Sequence, residues 1–159
     1  MTHGRALYWE LIHVPLVVWY PTQIPAGERV REPVSIATIP ATIVQVLGIN
    51  PGSFLGPPLP TSLGMPGGKP PGIAVSELAQ NVYPGKRDQA ADKLIPTATT
   101  GSMQSLNTVE WHWISHSESG SQLYKWTVDP GETEDLAKTP SGVATVNKLA
   151  QQLQELTRK

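Results

Sequence analysis

Residues 14–20, Val-Pro-Leu-Val-Val-Trp-Tyr, constrain this chain more than any other stretch. They form a continuous apolar run of strand-forming types. Such a run predicts a strand covered on both faces, as in a parallel sheet. A parallel neighbour needs a crossover of a dozen or more residues, usually a helix. Little sequence precedes the run, so the first residues read as the middle of a fold rather than its edge.

The chain has 159 residues, enough for one domain with a modest core. Its net charge of −1 gives no field to attract nucleic acid or an anionic membrane. With 14 glycines and 16 prolines, much of it must be loop. Cysteine is absent, which removes disulfides, thiolate metal sites and a cysteine nucleophile. The run at 14–20 falls far short of the roughly 20 apolar residues that span a membrane. It does not read as a signal peptide either, because Arg5 and Glu10 interrupt the region before it. The compartment stays open.

Along the chain, residues 4–11 suit a short helix with Leu7, Leu11 and Tyr8 on one face, ended by Pro15. After the run comes a loop, then a short extended stretch at 30–35. In TIPATIVQVLGI, Thr38 is placed to cap, Pro40 lies in the first turn and Gly48 sits at the stop. Ile39, Ile43, Val46 and Leu47 are spaced for one face of a helix over 38–47. Residues 50–72 hold most of the proline and glycine and predict a long loop. GIAVSELA, 72–79, reads as a strand, and 80–95 as a polar excursion. SMQSLNT, TVEWHWISH and SQLYKWT are three short strands separated by turn formers, which predicts an antiparallel meander. Over 141–157, Val143, Val146, Leu149, Ala150, Leu153 and Leu156 follow a helical period, with Thr139 or Ser141 as cap. The fold class is therefore α/β. We expect one region over 1–80 that includes the loop 50–72, and an antiparallel subdomain over 81–159 ending in the helix 141–157.

Chemistry-bearing motifs are few. His112 and His116 share one face of a strand but stand about 13 Å apart, too far for one metal ion. They read as surface histidines on an edge strand. GMPGGKP lacks the glycine offset of a phosphate loop and places proline after its lysine, where serine or threonine would bind magnesium. No Gly-x-Ser-x-Gly elbow occurs. Glu134 and Asp135 follow a Pro-Gly turn and read as solvated rather than as an acid–base pair.

The N-terminal stretch stands apart. His-Gly-x-x-Leu-Tyr-x-Glu-x-x-His-Val-Pro-Leu, within residues 3–20, resembles the type I sulfatases of the alkaline-phosphatase-like superfamily. The likeness continues through IPAGERVREPVSIATIPATIVQVLGI, SELA and GSMQSLNTVEWHWISHSESGSQLYKWTVDPGETEDLA. The last is similar to a family segment in which a hairpin runs into Asp-Pro-x-Glu-x-x-Asn-Leu-Ala. Each block is weak alone; their order and spacing carry the resemblance over nearly the whole chain. Thr38 replaces a family aspartate and Trp126 a family acid, both at positions that read as structural.

The resemblance implies a partial alkaline-phosphatase-like sheet, with 14–20 as a strand of it, then a small antiparallel sheet with a C-terminal helix. It implies a substrate-binding role for His3, at a position where many sulfatases carry a sulfate-contacting lysine, and a structural role for His13. The family's cofactors are calcium and a formylglycine made from Cys or Ser in a Cys/Ser-x-Pro-x-Arg motif. This chain lacks that motif, the paired aspartates and the Asp-His/Asn-Gly motif. Asp88, Asp92, Asp129 and Asp135 are its only aspartates, all in expected loops. An ester hydrolase needs an activated nucleophile and neutralisation of the transferring group. The expectation is the C-terminal third or so of a sulfatase, hydrolysing sulfate esters as a whole and inactive as this piece. Two alternatives stand beside it. One is a non-catalytic module that complements a separate N-terminal half. The other is a phosphate or phosphonate ester hydrolase of the same superfamily.

Overall fold

The computed structural model describes the chain apart from residues 1–4, 23, 25, 28, 51–57, 60–71, 81–95, 99 and 159. Packing divides it into two compact units, Met1–Val14 with Val75–Lys159, and Pro15–Ala74. A cut at residue 80 would divide it otherwise: the segment up to Val14 packs with the C-terminal sheet. Most of the expected loop 50–72 and of the expected excursion 80–95 lies outside the described residues.

The first unit is built on a four-stranded sheet in the order β1-β2-β3-β4. Its strands are β1 (Ile73–Leu78), β2 (Met103–Thr108), β3 (His112–His116) and β4 (Gly120–Tyr124). The β2–β3 and β3–β4 pairs are antiparallel, as the meander predicted. Trp113 sits opposite Leu106 and Leu123, and Ile114 opposite Ser105 and Gln122. Successive side chains alternate between faces, so the sheet has two different sides.

One side is apolar. Leu106, Trp113 and Leu123 pack with Leu149 and Leu153 of the C-terminal helix α3 (Pro140–Thr157). Thr139 is the cap: its hydroxyl accepts the Gly142 N–H at 3.0 Å, and Pro140 opens the helix where no N–H is needed. The helical period holds through Val146 and Ala150, while Val143 and Leu156 near the ends stay exposed. Gly142 is required, because a methyl there would overlap the Leu136 carbonyl.

The other side carries Met103, Ser105, Asn107, His112, Ile114, His116, Gln122 and Tyr124, as the ladder register dictates. Leu7, Tyr8 and Ile12 from the N-terminal segment pack on it with Ala98 and Leu78. The helix expected over 4–11 is only one turn, α1 (Trp9–Ile12). No side chain caps it at Tyr8, and Ala6 and Leu7 are buried in non-helical backbone. The Ala98 N–H donates to the Arg5 carbonyl at 2.7 Å, which ties that segment down.

The second unit contains helix α2 (Ile39–Val46), preceded by a tight 3-10 turn at Ile36–Thr38. The cap is not Thr38, which already has helical backbone angles and makes no side-chain cap bond. Ser35 takes that role one turn earlier, accepting the Ala37 N–H. The stop at Gly48 is as expected. Gly48 adopts φ 72°, and the Gly48 and Ile49 N–H groups bond back to Gln45 and Val44. Ile24 and Leu59 form a small core with Val18, Tyr20, Val34 and Val46. The Leu59 N–H donates to the buried Thr42 hydroxyl at 2.7 Å.

The expected strand at 14–20 is absent: none of its residues pairs into a strand among the described residues. It is not covered on both faces either. Val17 is 88% and Trp19 86% exposed. Hydrophobicity predicts what a segment would bury, and the described residues of this unit offer it no second layer to be buried against.

Candidate functional site

His3, the residue the resemblance singles out, lies outside the described residues. What is described is the segment that follows it and how the sheet holds that segment. Tyr8 donates its hydroxyl to Gln122 Oε1 at 3.0 Å, and Gln122 Nε2 donates to the Tyr124 hydroxyl at 2.8 Å. The Trp9 N–H, at the start of α1, donates to Glu132 Oε2 at 2.8 Å. The other carboxylate oxygen of Glu132 bonds His112 Nδ1. The Trp9 ring stacks on Trp126 at 4.8 Å and on His13 at 4.5 Å, both nearly parallel. Trp126 is fixed in turn by its indole N–H on the Thr108 carbonyl.

Glu132 is therefore the joint between the N-terminal segment and the sheet. Its side chain is 3% exposed, and its backbone sits at φ 52°, uncommon for a residue other than glycine. The turn that presents it is organised by acids. The Asp129 carboxylate accepts the Thr133 and Glu134 N–H groups, and Asp135 accepts those of Leu123 and Ala137. Those backbone donors, Glu134 first and then Thr133, hold the Asp129 carboxyl below its ordinary range. Asp135 is thus a backbone acceptor, and Glu134 is exposed beside it.

The β3 histidines are not on an edge and not on the surface. β3 lies between β2 and β4, and both side chains are buried. The edge reading failed because β4 follows directly and covers that side. His116 is satisfied throughout. Its Nδ1 accepts the Glu118 and Ser119 N–H groups, so Nε2 carries the proton and donates to the Thr97 carbonyl at 2.9 Å. It pins the β3–β4 turn to Thr97 and Thr100. His112 differs: its Nε2 is buried with no hydrogen-bond partner among the described residues, as are Ser105 Oγ and Asn107 Oδ1 on the same face.

Serine, histidine and glutamate on one face invite comparison with a hydrolytic triad. The geometry does not support one. Ser105 and His112 make no hydrogen bond to each other, and both are 0% exposed, so no substrate reaches either. Among the described residues no three His, Asp or Glu side chains come together to hold a metal ion. The sequence has no cysteine and no serine in a Ser-x-Pro-x-Arg pattern from which a formylglycine could be made. Burial pushes the Tyr124 phenol well above its ordinary value, with Tyr8 nearby adding to the shift. Burial raises Tyr8 as well, against the bond to Gln122.

No family model and no curated protein matches the chain. Solved structures do. A 2-O GAG sulfatase matches with a TM-score of 0.53 at 22% identity, over 72% of this chain and 22% of that one. A protein solved with its substrate D-glucosamine-2-N,6-O-disulfate matches with a TM-score of 0.60 at 19% identity, over 87% of this chain and 27% of that one. The chain shares the fold of one segment of each of these proteins. A phosphonate monoester hydrolase of Agrobacterium radiobacter shares it, with a TM-score of 0.53 at 20% identity over 75% of this chain and 24% of that one. This chain spans about a quarter of the length of these structures. The resemblance read from the ordered blocks of sequence is borne out at the level of fold.

Sequence reasoning missed Glu132, Trp9 and Trp126 as one assembly. Glu132 stood in the quoted Asp-Pro-Gly-Glu block, and that block was its one sequence signal. Its partner Trp9 lies 123 residues away, a separation no local pattern reports.

Proposed function

We propose that this chain is the C-terminal segment of a sulfatase-like hydrolase and does not hydrolyse esters by itself. The observation that carries the reading is the fold shared with sulfatases over about a quarter of their length. The sequence supports the second half: it lacks the nucleophile motif and the paired aspartates. In the whole enzyme the segment would contribute His3 as a hydrogen-bond donor to the transferring sulfate. The joint at Glu132 would hold the stretch that follows His3 against the sheet. Nitrophenyl sulfate tests the first claim: the purified chain should show no turnover above buffer, and measurable turnover would overturn it. An upstream open frame carrying Cys/Ser-x-Pro-x-Arg would allow the second test. There His3→Ala should lower turnover of the complete enzyme, and unchanged kinetics would remove His3 from the site.

A second reading keeps the fold and changes the ester. The phosphonate monoester hydrolase neighbour supports it. Comparing nitrophenyl sulfate with a nitrophenyl phosphonate on the complete enzyme separates the two.

A further inference from the structure

The sheet face that carries the joint holds three buried polar atoms with no hydrogen bond among the described residues: His112 Nε2, Asn107 Oδ1 and Ser105 Oγ. The ladder brings their side chains together. Asn107 is the cross-strand partner of His112, and Ser105 stands two residues along β2 on the same face. The Thr108 N–H bonds the Trp111 carbonyl, so the next pair inward, Asn107 and His112, falls at a non-hydrogen-bonded position, where Cα atoms stand about 4.5 Å apart. Ser105 is the smallest side chain on this face and leaves the most room above its own position. Leu7, Tyr8 and Ile12 pack over the face, and the Trp9 ring stands edge-on to His112 at 6.4 Å, so bulk solvent does not serve these atoms. A buried polar group is normally paired, with protein or with an ordered water.

We propose that these three atoms form a binding site for one buried water molecule, and that this water orients His112 for the joint at Glu132. The donor and acceptor set selects water. His112 Nδ1 faces the Glu132 carboxylate and carries the proton there, so Nε2 of the neutral ring presents a lone pair. Asn107 Oδ1 presents a second acceptor, and the Ser105 hydroxyl is the one group of the three free to donate. Two acceptors and one donor match the two O–H groups and a lone pair of a single water. An anion would meet two lone pairs and gain one hydrogen bond. Direct bonds do not replace the water: Ser105 and Asn107 stand about 7 Å apart along the strand, and both side chains are short. The result is a continuous chain of bonds from the water through His112 and Glu132 to the Trp9 N–H. Ser105 and Asn107, which bond neither Glu132 nor Trp9, thereby become positioning residues for the segment at 9–13.

The test uses the full chain. A high-resolution crystal structure should show one ordered water within hydrogen-bond distance of all three atoms. A dry face, direct bonds among the three residues, or another polar side chain in that position overturns the proposal. Ser105→Ala then separates a water-bound hydroxyl from an unpaired one. Deleting an unpaired buried hydroxyl leaves the urea midpoint equal or raises it, whereas deleting a water-bound one should raise the unfolding equilibrium constant about 2–10-fold. An equal or higher midpoint overturns the site. Hydrogen exchange reads the link to the joint: Ser105→Ala should speed exchange of the Trp9 amide by a larger factor than that of Leu149 in α3. Equal factors at the two amides overturn the positioning role. Where the variant does not fold, the crystal structure of the unaltered chain decides the site alone.

Discussion

The two units of this chain bury their apolar residues in opposite degrees. In Met1–Val14 with Val75–Lys159, a four-stranded sheet is covered on one side by α3 and on the other by the N-terminal segment. Leu106 and Leu123 are fully buried there, and the polar side of the sheet is tied by Glu132, Gln122 and His116. In Pro15–Ala74 the described core is little more than Ile24, Leu59, Ala41 and Thr42, while about half of the described large apolar side chains are exposed. The first unit covers its core from both sides of the sheet. The second leaves Val17, Trp19 and Leu47 largely exposed among the described residues. Hydrophobicity is therefore evidence of burial only when the covering layer is part of the same chain.

Variants can break this contrast, and the largest effect is expected at the joint. Glu132→Ala leaves His112 buried without its partner and frees the Trp9 N–H. A hydrogen bond to a charged group is worth about 1.5–3 kcal/mol, and Glu132 loses two of them. A urea titration followed by tryptophan fluorescence reads it, and Glu132→Gln should recover part of the loss. An unchanged midpoint would remove Glu132 as the joint.

Next comes a matched pair. Leu106→Ala, in the packed side of the sheet, should cost about 2–5 kcal/mol. Ile43→Ala, a similar truncation on the exposed face of α2, should stay within about 0.5 kcal/mol. Equal losses in thermal unfolding would erase the difference between the units. Below these stands the cap: Thr139→Ala should cost about 1 kcal/mol, read as a lower thermal midpoint with the helix signal.

How legible this was depends on the range of the interaction. Helix α3, the stop at Gly48 and strands β1 to β4 follow from periodicity, capping and turn residues, all local signals. The alternation of His112, Ile114 and His116 placed both histidines on one face correctly. That the face is interior depends on β4 on one side and residues 5–12 on top, which are non-local facts. Ser35 displaced Thr38 as cap because a 3-10 turn lengthened the helical stretch, a shift of one turn that propensity does not resolve. The run at 14–20 was read by its composition, and composition does not say where its partner is encoded. For the site, the sequence supplied His3 by resemblance alone, while the structure contributes the joint behind it.

The smallest expected effect appears at high pH. Both Tyr8 and Tyr124 are raised in the folded chain. A raised phenol favours its protonated form in the native state, so its stabilising contribution is complete below the unfolded value of about 10 and is lost as pH rises above it. Absorbance at 295 nm should show these two tyrosines ionising late and together with loss of the fold. Early ionisation of all tyrosines would contradict their burial.

The most direct test of the contrast is hydrogen exchange of the isolated chain, read by peptide mass spectrometry. The account predicts strong protection across 103–124 and 140–157, protection of residues 9–13 through the joint, and rapid exchange at 16–20. Equal protection at 16–20 and in the sheet would mean that the run already has its partner within this chain, and would contradict the division into a covered unit and a largely exposed one.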